Sequence, residues 1–312
     1  MDHPQQWSTP PTLARTYGKA RRRTLKLEAV LPYLYIAPFF VVFTAFFGYP
    51  LVYSFYVSLH SWTGIGPMRW VGWGNYSFAL QNSYFWGSIV TTAELWLLVI
   101  PAGTVLSLIL AVAWNHARFR GRNIVIVMYL LPAVVSIVAA SVVFKILYDP
   151  TAGPIAYVLK AVGLPVIPWL TSEGWARVGI AVVRVWASVG LGALFYFSAL
   201  QAISKEIYDA SLVDGCGPIR QFVSITVPLL ARTTLFLAVV NTLTTLALFA
   251  EPFFITNDGG PNNATTTVGL YLYHLVNNLD LGTASAVSFL MTIGMMVVSI
   301  ILFVTARRWT EA

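Results

Sequence analysis

Charge is what this 312-residue sequence lacks. Only 10% of its residues are Asp, Glu, Lys or Arg, against 57% hydrophobic, and the mean hydropathy is +0.72. A soluble domain carries about 25% charged residues, so too few are present to cover a water-facing surface. That excludes a disordered chain, a nucleic-acid-binding module and most soluble enzymes. Cysteine is nearly absent. Cys216 stands alone, which excludes an intrachain disulfide and a cysteine-only metal cluster. The histidines, His3, His60, His116 and His274, are dispersed and show no metal-ligand spacing. A phosphate-binding loop needs Gly-x-x-x-x-Gly-Lys-Ser/Thr, yet the sole Gly-Lys pair, Gly18-Lys19, is followed by Ala20. The chain therefore reads as having no ATP, cofactor or metal site of its own.

What it has in abundance is long apolar segments. A bilayer span needs about 20 mostly apolar residues, and six stretches qualify: Tyr33–Ser58, Ser88–Trp114, Ile124–Tyr148, Arg177–Leu200, Thr233–Ile255 and Thr283–Ala306. The first follows a polar tail and is too long for a signal peptide. Fourteen of the 19 lysines and arginines fall in one alternate set of segments: the tail 1–30, the loop holding Arg118, Arg120 and Arg122, the loop holding Lys205, Arg220 and Arg232, and the C-terminus with Arg307 and Arg308. The opposite loops hold Arg69 and Lys160. Basic residues mark the cytoplasmic side, so both termini are expected there, and six spans satisfy that parity. The expected architecture is an all-α, multi-pass protein of the cytoplasmic membrane, bathed in lipid, with no nucleic-acid partner.

The expected divisions are a basic tail over 1–30, a first transmembrane helix over 31–60, an extracytoplasmic aromatic loop over 61–87, a transmembrane region over 88–306 and a short cytoplasmic end over 307–312. Aromatic rings such as Trp62, Trp70, Trp73 and Trp86 suit the membrane–water interface. In the next external loop, Pro154 and Pro165 bracket Ile155–Val162, which predicts a short helix lying on the interface. Gly179, Gly190 and Gly192 read as close-packing sites in the fourth span.

The cytoplasmic loop 201–228 is built differently from the others. Ser204 is a good N-cap and Glu206 suits the first helical turn. Ile207, Ala210 and Val213 recur at helical spacing, Gly215 can close the helix in a left-handed cap, and Pro218 fits the start of a second helix. Phe222, Ile225 and Leu229 mark that helix's apolar stripe. The result is a helix–glycine–helix elbow with small residues, Ala210 and Ser211, on its exposed shoulder. Asp209-Ala210-Ser211, then Gly215, Ile225 and Val227-Pro228, resemble the EAA loop of binding-protein-dependent ABC importer permeases, in which Glu-Ala-Ala is followed at fixed spacing by Gly, Ile and Leu-Pro. Asp214 before the glycine, Phe222, Pro228-Leu229-Leu230 and the external run Asn257–Thr265 resemble the sugar-importer branch.

That resemblance implies a division of labour. The chain would pair with a second, similar permease. Two ATPase subunits, holding ATP and magnesium, would grip the elbows, here through Glu206, Asp209, Ala210, Ser211, Asp214, Gly215, Phe222, Ile225 and Pro228. An extracytoplasmic solute-binding protein would deliver the ligand. Residues 88–306 would be the permease domain, a five-helix core with the coupling loop between helices 4 and 5.

Charges within spans are costly, about 2.5–3.5 kcal/mol at a helix centre. Glu94, Arg184 and Glu251 should therefore face the interior, a partner or water. They can line a translocation path, or Arg184 can pair structurally with a carboxylate. Pro252 is expected to kink the fifth span. With Asn241, Thr244, Thr245 and Phe249, the two carboxylates and Arg184 form the candidate path residues. The competing reading of the threonines is bonding to their own backbone. The substrate expected from the resemblance is a sugar, with glycerol-3-phosphate or a related phosphodiester as the alternative. A stand-alone secondary transporter would explain the spans but not the elbow, and a membrane-embedded enzyme lacks clustered acids or histidines.

Overall fold

The computed structural model describes residues 31–116 and 121–310. The basic tail 1–30, Arg118 and Arg120 lie outside the described residues. The chain divides into two units, residues 1–56 and 57–312. Helix α1, Leu31–Ser58, supplies the described part of the first unit and enters the second with its last two residues. It is apolar on every face, and none of its residues 31–56 is buried; such a helix is a membrane span. Its aromatic rings stack at one-turn intervals, Phe39 on Phe43 at 5.9 Å and Phe43 on Phe47 at 5.7 Å. A π-helical turn over Thr44–Gly48 interrupts it.

The second unit begins with a two-stranded antiparallel hairpin, β1 (His60–Ser61) and β2 (Arg69–Trp70), and a short helix α2 (Gly74–Gln81). The Asn75 amide donates to the carbonyls of Ser58 and His60 at 2.8 and 2.9 Å, which ties α2 to the strand. Helix α3, Ser83–His116, then starts earlier than the expected span. The expected aromatic loop 61–87 is thus largely structured.

The third expected span is not one straight helix. It is a pair, α4 (Arg122–Val134) and α5 (Ile137–Leu147), bent by 99°. Pro132 lies in the last turn of α4, where it has no N–H to bond the Met128 carbonyl, and Val135 turns extended three residues later. Helix α6, Pro154–Ala161, is the short helix expected from the flanking prolines. Helix α7, Glu173–Gln201, is continuous. The loop 201–230 holds α8 (Lys205–Val213) and α9 (Pro218–Leu229). Beyond a 62° bend at Leu230 comes α10, Ala231–Leu246.

The fifth expected span, Thr233–Ile255, is also broken. Ala247–Phe249 are not helical, and α11 (Ala250–Ile255) follows. Pro252 carries no N–H to bond the carbonyl of Leu248 four residues back. The hydroxyl of the fully buried Thr267 donates to that carbonyl instead, and the same hydroxyl caps α12 (Val268–Asn277) by accepting from Leu270. A freed carbonyl at membrane depth is costly unless satisfied, and here a residue from the next loop satisfies it. Helix α13, Leu281–Thr310, is the last described element. Among the described residues, helices α1, α3, α7 and α13 are each long and apolar enough to cross a membrane, and the bent pairs α4–α5 and α9–α10, each counted as one span, bring the count to six.

Helix α7 is the centre of the packing in this unit. Leu95 and Val99 of α3 meet Ile180 and Val183 of α7, while Ala111 and Trp114 meet Tyr196, Phe197 and Leu200. The glycines of α7 permit this. At Gly190 an added Cβ would sit 1.7 Å from the Tyr129 carbonyl oxygen of α4, and at Gly192 it would sit 2.5 Å from Ser107 Oγ of α3. Both positions are close-packing sites. Gly190→Ala should therefore lower the thermal stability of the detergent-solubilised protein, by about 1–3 kcal/mol for overpacking. Gly294→Ala on α13, where nothing lies within 4 Å of the new methyl, should leave the melting temperature unchanged or slightly raised.

Candidate functional site

The elbow forms for local reasons. Ser204 Oγ accepts from the Glu206 N–H at 3.3 Å and caps α8. Glu206 stands in the first turn, where its charge favours the helix dipole. Gly215 has φ +75°. The Cys216 N–H then reaches the Ser211 carbonyl at 2.9 Å and the Gly215 N–H reaches Leu212 at 3.0 Å. This is a Schellman closure, which needs the left-handed residue that glycine supplies without strain. Gly217 is extended and Pro218 opens α9. A π-helical turn, Phe222–Thr226, lies within α9 just before Pro228.

Side chains join the two helices. The Gln221 amide donates to Ser211 Oγ at 2.8 Å and to the Tyr208 carbonyl at 3.3 Å. The Tyr208 and Thr226 hydroxyls are bonded at 3.0 Å. Ser211 is 7% exposed, so it is not on the exposed shoulder expected from the sequence; its small side chain lets Gln221 approach. Ala210 does stay exposed, with Glu206, Asp209, Asp214 and Pro228, while Phe222 and Ile225 are half-buried. Phe222 lines a cleft of about 800 Å³ with Asn115, Leu200, Tyr208, Asp209 and Thr226.

The tip of the elbow is unexpectedly apolar. Val213 is 88% and Ile219 80% exposed, with Leu212 and Val223 exposed beside them. Val213 was expected from spacing alone to share a stripe with Ile207. Tyr208, Gln221 and Thr226 were missed altogether. The available signal was that Tyr208 and Ser211 stand three apart, on one helix face.

The intramembrane charges separate into two pairs along α7. Arg177 bonds Glu94 of α3 at 2.8 Å, and its Nε donates to the Ala264 carbonyl at 2.7 Å. Seven residues on, about 10 Å along the helix, Arg184 meets Glu251 of α11 at 3.4 Å. The Glu251 side chain is 3% exposed and that of Arg184 20%. The structure thus joins Arg184 to Glu251 and gives Glu94 a different partner. Lys145 donates to Asn257.

The remaining candidates scatter over the broken helix. Thr244 is exposed and its hydroxyl bonds back to Val240 and Asn241, the behaviour weighed against a ligand role. Asn241 is half-buried. Thr245 is 1% exposed and its hydroxyl has no hydrogen-bond partner among the described residues. Phe249, in the break, packs its ring 4.8 Å from Tyr273. Thr242, absent from the expected set, is buried and accepts from Trp96 Nε1 at 2.8 Å.

Breaking the deeper ion pair should be costly. Arg184→Met leaves Glu251 buried without its counterion, which should destabilise the solubilised protein by about 3–5 kcal/mol. Adding Glu251→Leu to that variant should recover most of the loss, as read by thermal unfolding.

Residues 103–310 match the family described as binding-protein-dependent transport system inner membrane component. The lactose transport system permease protein LacF of Rhizobium radiobacter is 33% identical over 282 residues, 88% of this chain and 94% of that protein. The trehalose/maltose transport system permease protein MalF of Thermococcus litoralis is 30% identical over 84% of this chain and 89% of its own length. The sn-glycerol-3-phosphate transport system permease protein UgpA of Escherichia coli O157:H7 is 31% identical over 90% and 94%. A chain of a bacterial alginate ABC transporter, solved in complex with an alginate pentasaccharide-bound periplasmic protein, shares the fold. Its TM-score is 0.79 at 22% identity, over 93% of this chain and 98% of that one. With the apolar helices described above, these findings establish that the chain belongs to the inner-membrane components of binding-protein-dependent transport systems, the permease family of ABC importers.

Proposed function

We propose that this chain is one of two permease subunits of an ATP-driven importer for a neutral sugar, and that the elbow 201–228 is its coupling to the ATPase. The observation that carries the reading is the exposed apolar tip, Leu212, Val213, Ile219 and Val223, on a loop whose basic residues favour the cytoplasmic side. Exposed apolar patches on a polar loop mark protein contact sites. In this reading both termini are cytoplasmic, two ATPase subunits hold ATP and magnesium, and a second permease completes the gate. A solute-binding protein loads it from outside, and an alternating pathway carries the solute past the break in the fifth span. A stand-alone transporter would have no use for such a tip.

Sugar is favoured over a phosphorylated solute by the charge pairing. Among the described residues, Arg177 and Arg184 of α7 each have a carboxylate partner, so neither is left free to neutralise a phosphate. Two of the relatives named above are permeases of disaccharide systems. The relative from a glycerol-3-phosphate system is of comparable identity, and the competing substrate class is therefore a phosphodiester.

Gly215 tests the coupling. Nothing lies within 4 Å of an added Cβ there, but φ is +75°, so a side chain costs about 1–2 kcal/mol through backbone strain alone. Asn tolerates the left-handed region and a β-branched residue does not. In proteoliposomes holding the assembled transporter, Gly215→Asn should retain most ATP-driven uptake of a radiolabelled disaccharide. Gly215→Val should lose most of it, together with ATPase co-purification. Equal uptake by the two variants would contradict the coupling role. The purified chain alone should hydrolyse no ATP.

A further inference from the structure

The bend between α8 and α9 contains Gly215 and Gly217, both exposed, with open space around both Cα positions. The two backbone bonds at Gly215 fix the end of α8, but Gly217 lies beyond them, and a glycine there leaves the approach of α9 free to vary. What holds the two helices together is a set of side-chain bonds placed behind the bend. Gln221 of α9 grips Ser211 Oγ and the Tyr208 carbonyl of α8; Ser211 Oγ in turn donates to that carbonyl at 2.8 Å. Further from the bend, Tyr208 reaches across to Thr226. Ser211 and Thr226 are 7% and 5% exposed, so water competes weakly for these bonds.

The far end of α9 is anchored as firmly. Thr226 closes the π-helical turn, in which the Val227 N–H reaches the Phe222 carbonyl. Such turns are frequent at functional sites. Four residues later Leu230, 1% exposed, packs with Trp114, Tyr196 and Leu200 at the bend into α10.

We propose that Tyr208, Gln221 and Thr226 are positioning residues that lock the elbow into a rigid lever. A push on its exposed tip then moves α10 and the break at Ala247–Phe249, and does not fold the elbow at its glycines. The inference rests on the docking reading above. These residues touch neither nucleotide nor solute; they act through the geometry of the loop.

The test uses the assembled transporter in proteoliposomes, in a Cys216→Ser background with Ala247→Cys as a reporter in the break, where position 247 is exposed. Three quantities are read: ATPase co-purified, ATP hydrolysed, and the change in maleimide labelling of position 247 on trapping with ATP and vanadate. Gln221→Leu and Thr226→Val should each keep the ATPase bound and hydrolysing, while the ATP-linked change at 247 shrinks several-fold. Thr226→Ser, which keeps the hydroxyl, should restore it. The double variant Tyr208→Phe/Thr226→Val, which leaves no orphaned hydroxyl, should assemble normally and still show the reduced change. A labelling change as large as wild type in Gln221→Leu and Thr226→Val overturns the lever while leaving docking intact. Loss of the ATPase from these variants also overturns it, because the bonds are then a requirement of docking and not of transmission. A wild-type complex without ATPase, or without any ATP-linked change, overturns the docking reading and the lever with it.

Discussion

A left-handed residue at position 215 decides where the apolar surface of the elbow points. Because Gly215 takes φ +75° at no steric cost, α8 ends in two backbone bonds that reverse the chain within four residues. Pro218 then starts α9 with its missing N–H where none is needed. The consequence is a tight corner whose outer side carries Val213 and Ile219 into solvent and whose inner side brings Gln221 onto Ser211. A different backbone at 215 would move both sides together. The contact surface and the bonds that stiffen it are therefore products of one local choice.

From that corner the connection runs through packed structure. Leu230 sits in a cluster of buried side chains from α3 and α7, so the bend into α10 is held on both sides. At the other end of α10 the helix is interrupted, and Pro252, Leu248 and Thr267 share the interruption between them. A membrane interior gives an unpaired carbonyl no water to bond. The break is thus stable only while the following loop supplies the Thr267 hydroxyl. The Arg184–Glu251 pair crosses the same region from α7 to α11. The segment that would have to move during transport is held by polar contacts that can be exchanged, whereas α7 is joined to α4 and α3 by close contacts at Gly190 and Gly192 that cannot.

The sequence made the spans legible because a bilayer imposes length and apolarity with little regard to partners. The elbow's caps were legible for a similar reason: Ser204, Gly215 and Pro218 each act within a few residues of themselves. The bends were harder. Pro132 marks the end of α4, but nothing local says that α5 departs at 99°. Residues 247–249 contain no breaker of their own; Pro252 downstream was readable as the source of a kink, but the Thr267 hydroxyl from beyond the next turn that completes the break was not. The pairing of Arg184 was foreseen only as some carboxylate, since the choice between Glu94 and Glu251 depends on the register of three helices. Ser211 shows the same limit in small form. Its size was readable, but its burial depends on Gln221, ten residues away.

The central claim is that the elbow's apolar tip is covered by an ATPase subunit. It is tested most directly by introducing cysteine at Val213 in a Cys216→Ser background and timing its reaction with a membrane-impermeant maleimide. In the chain without the ATPase, position 213 should label rapidly. In the assembled transporter it should be protected many-fold. Labelling at the same rate in both would show that nothing covers the tip, and would contradict the account.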